Sequence, residues 1–189
     1  MSLTYPLTFP SGIGISQFSL RMVKSVAVAE SPFTYNQQVH DFGGARWEAE
    51  ITVPPLTQSN AQLFQAFLIG LEGRKGTFTM GHPLHNASGT VTADAASKGD
   101  TRISLDGSAM TAGTYFSISN RLYMATEAKA SGSDVFVEIQ PPLRNAISQG
   151  AGCDLTLPKG LWRLSTNEVA WSTDTSATTP FTFACVEAI

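Results

Sequence analysis

The sequence predicts a mainly β protein: a β-sandwich with one amphipathic helix packed on it, plus an inserted small antiparallel β-barrel. Three observations carry that expectation. Apolar and polar residues alternate with a period of two in short runs along most of the chain. One stretch, TQSNAQLFQAFLIGLEG at 57–73, has helical spacing instead. Between Pro83 and Pro158, strand-like runs are separated by Gly, Asp and Ser turns with no helical pattern, which suits a small barrel.

In chain order, Phe18, Leu20 and Met22 alternate with Ser19, Arg21 and Val23, and Val26 and Val28 alternate with Ser25 and Ala27. SPFTYNQQVHDF follows, with Phe33 and Tyr35 on one face, and Gly43-Gly44 reads as a turn. In WEAEITVPPL, Trp47, Ala49, Ile51 and Val53 point one way, and Glu48, Glu50 and Thr52 the other. One face is core and the other is wet or covered by a partner. Pro54 and Pro55 should end that strand, because proline has no N–H for the ladder.

Thr57 is placed to cap the helix through its hydroxyl. Ala61, Phe64, Phe67, Leu68 and Leu71 form one apolar stripe, and Gly73 is a natural stop. GTFTM at 76–80 returns to strand. The barrel candidates are GTVTAD, TRISLD, YFSIS, RLYMAT, VFVEI and CDLTL, with hairpin turns at SNR (119–121) and SGSD (131–134). In the tail, Phe181, Phe183 and Cys185 alternate with Thr182, Ala184 and Val186, a strand that returns to the first sheet. The resulting division is 1–82 with 160–189 for the sandwich and helix, and 83–159 for the inserted barrel, with the oligonucleotide-binding type as one candidate shape.

The chain's 189 residues are long enough for a substantial core. Only 14% are charged and the net charge is −3, with no Lys/Arg cluster beyond Arg74-Lys75, which disfavours specific nucleic-acid binding. No apolar run approaches the ~18 residues of a membrane span. MSLTYPLTFP lacks the basic and apolar regions of a secretory signal, so synthesis and folding in the cytoplasm are expected. Cys153 and Cys185 fit reduced, buried thiols there.

Candidate chemistry is sparse. Glu48 and Glu50 share one strand face about 6.6–6.8 Å apart along the chain, a spacing that paired-carboxylate glycoside hydrolysis also uses. Catalytic pairs normally come from different elements, so a solvated strand face is the simpler reading. His82 and His85 form an H-x-x-H without a third ligand nearby, and His40 stands elsewhere. Asn86–Ser88 matches a glycosylation acceptor but follows no signal. Tyr115, Phe116 and Tyr123 could stack on bases, yet acids outnumber basic residues between Pro83 and Pro158, which favours core or interface aromatics. No nucleophile motif, phosphate loop or C-x-x-C is present, so no enzyme activity, cofactor or metal is expected.

Three stretches, taken in order, resemble tail-tip proteins of long-tailed bacteriophages. The first is SPFTYNQQVHDFGGARWEAEITVPPLTQSNAQLFQAFLIGLEGRKGTFTMGHP, with its W-x-A-E, its PPL-T corner, a helix and G-x-x-GTF. The second is LDGSAMTAGTYFSISNRLYMATEA, and the third VEIQPPLRNAISQGAGCDLTLPKGLWRLS. The resemblance is to distal tail or minor tail proteins, which are structural. It implies a ring of copies, six-fold by resemblance, that joins tail tube to tip hub around a channel for DNA. It also implies a second small barrel on the outside, and a location at the virion tail tip after assembly in the host cytoplasm.

On that reading, segments 29–46 are the intersubunit contacts, since edge strands and glycine turns offer unpaired backbone groups. Phe33, Tyr35 and Phe42 are the interface anchors, or else core residues. Glu48 and Glu50 would face the channel and repel DNA phosphates. Two other classes stand beside it. A carbohydrate-binding β module would use Trp162 and Trp171 as platforms unless they are core, and a small hydrolase would use Glu48 and Glu50.

Overall fold

The computed structural model describes residues 3–83, 89, 91–107, 110–172 and 179–189. His85 and the Asn86–Ser88 motif lie outside the described residues. The protein is mainly β, with two six-stranded sheets and one helix among the described residues.

The first sheet takes its strands from both ends of the chain. These are β1 (Leu7–Thr8), β2 (Gln17–Glu30), β3 (Gln37–Leu56), β4 (Phe78–Gly81), β11 (Lys159–Leu164) and β12 (Thr179–Glu187), in spatial order β1-β4-β11-β12-β3-β2. Among the described residues, the one parallel pair in it is β1 with β4. Period-two patterning decides which face is core: Trp47, Ala49, Ile51 and Val53 are buried while Glu50 is exposed.

Helix α1 (Gln58–Gly70) covers that apolar face with Ala61, Phe64, Phe67 and Leu68. The Phe64 ring lies 4.9 Å from Phe181 and 5.7 Å from Phe9, both edge-on, and Phe67 meets Phe78 at 5.6 Å. Thr57 is the N-cap residue as expected, but its hydroxyl makes no capping bond; its carbonyl accepts the Ala61 N–H instead. The helix stops at Leu71, after which Glu72 and Gly73 both take positive φ.

The second sheet is a nearly closed barrel. It comprises β5 (Val91–Ala93), β6 (Arg102–Asp106), β7 (Tyr115–Ile118), β8 (Arg121–Ser131), β9 (Asp134–Gln140) and β10 (Ala151–Cys153), in the order β10-β5-β6-β9-β8-β7. Its two ends meet where Ser117 and Asp154 exchange backbone hydrogen bonds of 3.0 and 2.9 Å. Ile103, Leu105, Phe116, Tyr123, Val137 and Ile139 fill it. The β7–β8 turn is Ser119-Asn120, both at positive φ, as a tight two-residue hairpin requires. The strand expected across CDLTL ends at Cys153, because the Asp154 carboxylate accepts the N–H groups of Thr156 and Leu157 and turns the chain.

Two further expectations are corrected. Pro54 and Pro55 do not end β3. They sit in a bulge opposite Pro180, and pairing resumes at Leu56 with Thr179. Gly43-Gly44 is not a turn but part of a bulge inside the 20-residue β3. The turn lies at 31–36, ten residues earlier than the glycines suggested.

Candidate functional site

The most distinctive surface is the far half of the β2–β3 hairpin. Up to Lys24 and Ala45 the two strands belong to the sheet. There Ser25 alone stands opposite Phe42, Gly43 and Gly44, and pairing resumes at Val26 with Asp41. Gly43 adopts φ +70°, and its N–H donates to Asp41 Oδ1 at 2.8 Å. A Cβ on Gly44 would lie 3.1 Å from the Ser25 Cβ, so a side chain there would crowd the bulge.

Beyond the bulge the hairpin continues as an arm through Glu30 and back from Gln37, and every residue of its two strand segments is exposed. Among the described residues, no layer lies above or below it. One face presents Val26, Val28 and Val39, with Val28 directly opposite Val39. The other presents Ala27, Ala29 and His40, and the His40 ring meets Phe42 edge-on at 4.6 Å. The tip closes through Tyr35 N–H to Ser31 carbonyl and Ser31 N–H to Asn36 carbonyl, with Tyr35 itself at φ +56°. Phe33 is 91% exposed, Tyr35 73% and Phe42 63%. The core reading of these three rings is therefore removed.

Both edges of the arm are open among the described residues. β2 is the sheet's outermost strand, and β12 pairs with β3 only from Glu48 onward. From Val26 to Phe42 the formal charges are Glu30 and Asp41, with no Lys or Arg to balance them. Glu30 accepts from the neutral Gln37 amide.

The arm's base is firmly built. Glu187 accepts from the Trp47 N–H at 3.0 Å and from Arg144 Nε and Nη2, both at 2.7 Å. Arg144 Nη2 also donates to the Ala45 carbonyl at 2.6 Å, and its backbone N–H donates to the Tyr123 hydroxyl. Trp47 Nε1 donates to the Leu122 carbonyl at 3.0 Å, and Arg121 donates to the Ala188 carbonyl. His82 stacks on Tyr115, whose ring also approaches Trp47. First sheet and barrel thus join where the arm leaves the sheet. Burial raises the Tyr115 and Tyr123 pKa values above the ordinary phenol range.

On the sheet face away from the helix, Glu48 is held between two arginines. Arg21, its cross-strand partner, donates to Oε2 at 2.6 and 2.9 Å, and Arg46 donates to Oε1 at 2.6 and 3.0 Å. The hydrogen bonds from Arg46 and then Arg21 hold the carboxyl below the usual glutamate range. A carboxyl held ionised in this way is a poor general acid at neutral pH. Glu50 lies on the same face, exposed and in register with Ser19 and Ala184.

Most other candidates fall into the core. Trp162 is 1% exposed and packs in the helix-covered cluster, so it cannot serve as a sugar platform. Trp171, 39% exposed, stays at the surface and tilts against Phe181. Phe116 and Tyr123 are buried inside the barrel. Cys153 and Cys185 are free, buried thiols in different clusters, and burial pushes the Cys153 pKa up to about 12 and that of Cys185 higher. Among the described residues no group of His, Cys, Asp and Glu could hold a metal, and no helix is long and apolar enough to cross a membrane.

The residues that sequence reading missed are Arg144 and Glu187. Their roles depend on which strands become neighbours, and no local pattern announces that. No family model matches the chain, and no curated protein matches it.

Proposed function

We propose that this protein is a structural component of a bacteriophage tail tip, forming a ring of its own copies that joins the tail tube to the tip hub around a channel for DNA. The observation that carries this reading is the arm. A two-stranded ribbon is marginal alone in water, and this one exposes both faces, both edges and three aromatic rings. Such a ribbon gains order by adding to a neighbour's edge or packing on its surface. Phe33, Tyr35 and Phe42 are its anchors. The tail-tip resemblance supplies the kind of assembly, including six-fold symmetry and contacts with tube and hub proteins.

The finer fold assignment travels with this proposal: the first sheet and helix as the tail-ring β-sandwich type, and the second sheet as an inserted small barrel on the outside, with the oligonucleotide-binding type as its candidate shape. Glu48 and Glu50 would lie on the channel-facing surface. Arg21 and Arg46 already balance Glu48 and Glu50 in number, so this face would pass DNA by holding no net positive charge rather than by strong repulsion. The protein performs no reaction in this role, and it works in the virion tail tip after assembly in the bacterial cytoplasm.

Electron microscopy of the purified protein, or of the particle that encodes it, tests the reading. A ring of this chain around a pore is expected. A stable single-copy protein that turns over a metabolite and is absent from any virus-like assembly would overturn it.

A further inference from the structure

A closed ring needs a head-to-tail contact, in which one patch of each copy meets a different patch of the next. The arm supplies the first patch, and the structure offers a candidate for the second. At the arm's own base a groove of about 380 Å³ is lined by Val23, Lys24, Ser25, Arg46, Arg144 and Ile189. Its exposed apolar parts are Val23 and Ile189. Its charged side chains, Lys24, Arg46 and Arg144, are all cations. Arg46 is met by Glu48 and Arg144 by Glu187, whereas Lys24 forms no ion pair among the described residues.

The arm has the opposite character. Beyond the bulge it carries Glu30 and Asp41 and no cation. Glu30 stands next to the tip that bears Phe33 and Tyr35. From Val26 to Glu30 the arm extends roughly 14 Å before the tip loop adds more, so the tip is well clear of its own base. The acid of one copy can therefore meet the lysine of another, but not its own.

Resting on the ring reading above, we propose that this basal groove receives the arm tip of a second copy of the chain. Glu30 of one copy pairs with Lys24 of the next, and Phe33 fills the groove against Val23 and Ile189. An aromatic anchor in a pocket with a charged pair at its rim is a common arrangement of interface hot spots. The charge pair sets register and selects the head-to-tail arrangement, and the ring supplies most of the adhesion.

The test is a charge exchange on the full chain, read by sedimentation and electron microscopy, with circular dichroism to verify folding. Lys24→Glu and Glu30→Lys alone should each weaken self-association roughly 10- to 100-fold, because like charges then face each other at every contact. An equal mixture of the two variants should recover assembly, since each arm then meets a groove of opposite sign, and so should the doubly exchanged chain. Single variants that assemble like the wild type, or that fail to recover on mixing, overturn this pairing and leave the ring reading standing. A wild-type chain that stays monomeric at the highest concentration reached overturns both. If either reversal misfolds, Lys24→Gln and Glu30→Gln replace it, with a smaller loss expected for each and recovery on mixing only at every second contact, where the intact Glu30 meets the intact Lys24; no loss from either overturns the pairing.

Discussion

Replacing Glu187 with glutamine should destabilise the protein far more than a one-atom change suggests. The Glu187 side chain is 4% exposed and that of Arg144 11%, so both charges are out of water. Three donors converge on the carboxylate: the Trp47 N–H and two guanidinium N–H groups. An amide keeps the volume but presents an NH₂ to at least one of those donors, and it leaves the Arg144 charge uncompensated. Breaking a buried pair from one side costs about 3–5 kcal/mol. For a chain of this length, each kcal/mol lowers Tm by about 2–4 °C, giving a drop of roughly 6–20 °C. Chemical denaturation and a thermal melt measure both quantities. Removing both charges, as Glu187→Gln with Arg144→Leu, should recover part of the loss, since a buried pair replaced whole is often near neutral. A loss under about 1 kcal/mol for Glu187→Gln, or a double variant no more stable than the single one, would refute the view that this pair locks sheet to barrel.

Three other outcomes are expected. Phe64→Ala removes the ring around which Phe9, Phe67, Phe181 and Phe183 gather and should cost about 3–5 kcal/mol in denaturant unfolding. Cys153 and Cys185 should resist a thiol reagent at pH 8 in the native protein and react promptly in denaturant, because burial holds both as neutral thiols; rapid native labelling would contradict their burial. Glu48 has a folded pKa below its ordinary 4.5, so its pairing contributes stability above that pH and loses the contribution as pH falls through the lower folded value. The stability difference between wild type and Glu48→Gln should therefore be flat from pH 7 to about 5 and shrink in stronger acid, its plateau no more than about 1 kcal/mol because the arginines are largely in solvent.

Local patterning was legible wherever one face of an element is buried. The alternation through Trp47, Ala49, Ile51 and Val53 and the stripe through Phe64, Phe67 and Leu68 both mark the faces that are buried. Patterning failed where two signals share one residue type. Glycine marks both turns and bulges, so Gly43-Gly44 read as the hairpin's end although the chain runs on to 31–36. Proline stops a ladder unless a bulge absorbs it, as happens opposite Pro180. An aromatic ring signals core or surface alike. Trp162 is buried, while Phe33 and Tyr35, in an equally mixed setting, are exposed.

The amino-acid order by itself determined strand periodicity, the single helix, the positions of the core faces and the poverty of charge, because each arises from residues within a few positions of one another. Only the tertiary structure decided that residues 26–42 leave the sheet as an uncovered arm, that Arg21 and Arg46 share Glu48, and that Arg144 meets Glu187. Those facts depend on which strands are neighbours and in what register, and pairing between residues 27 or 43 positions apart is set by the packing of the whole chain rather than by any local preference.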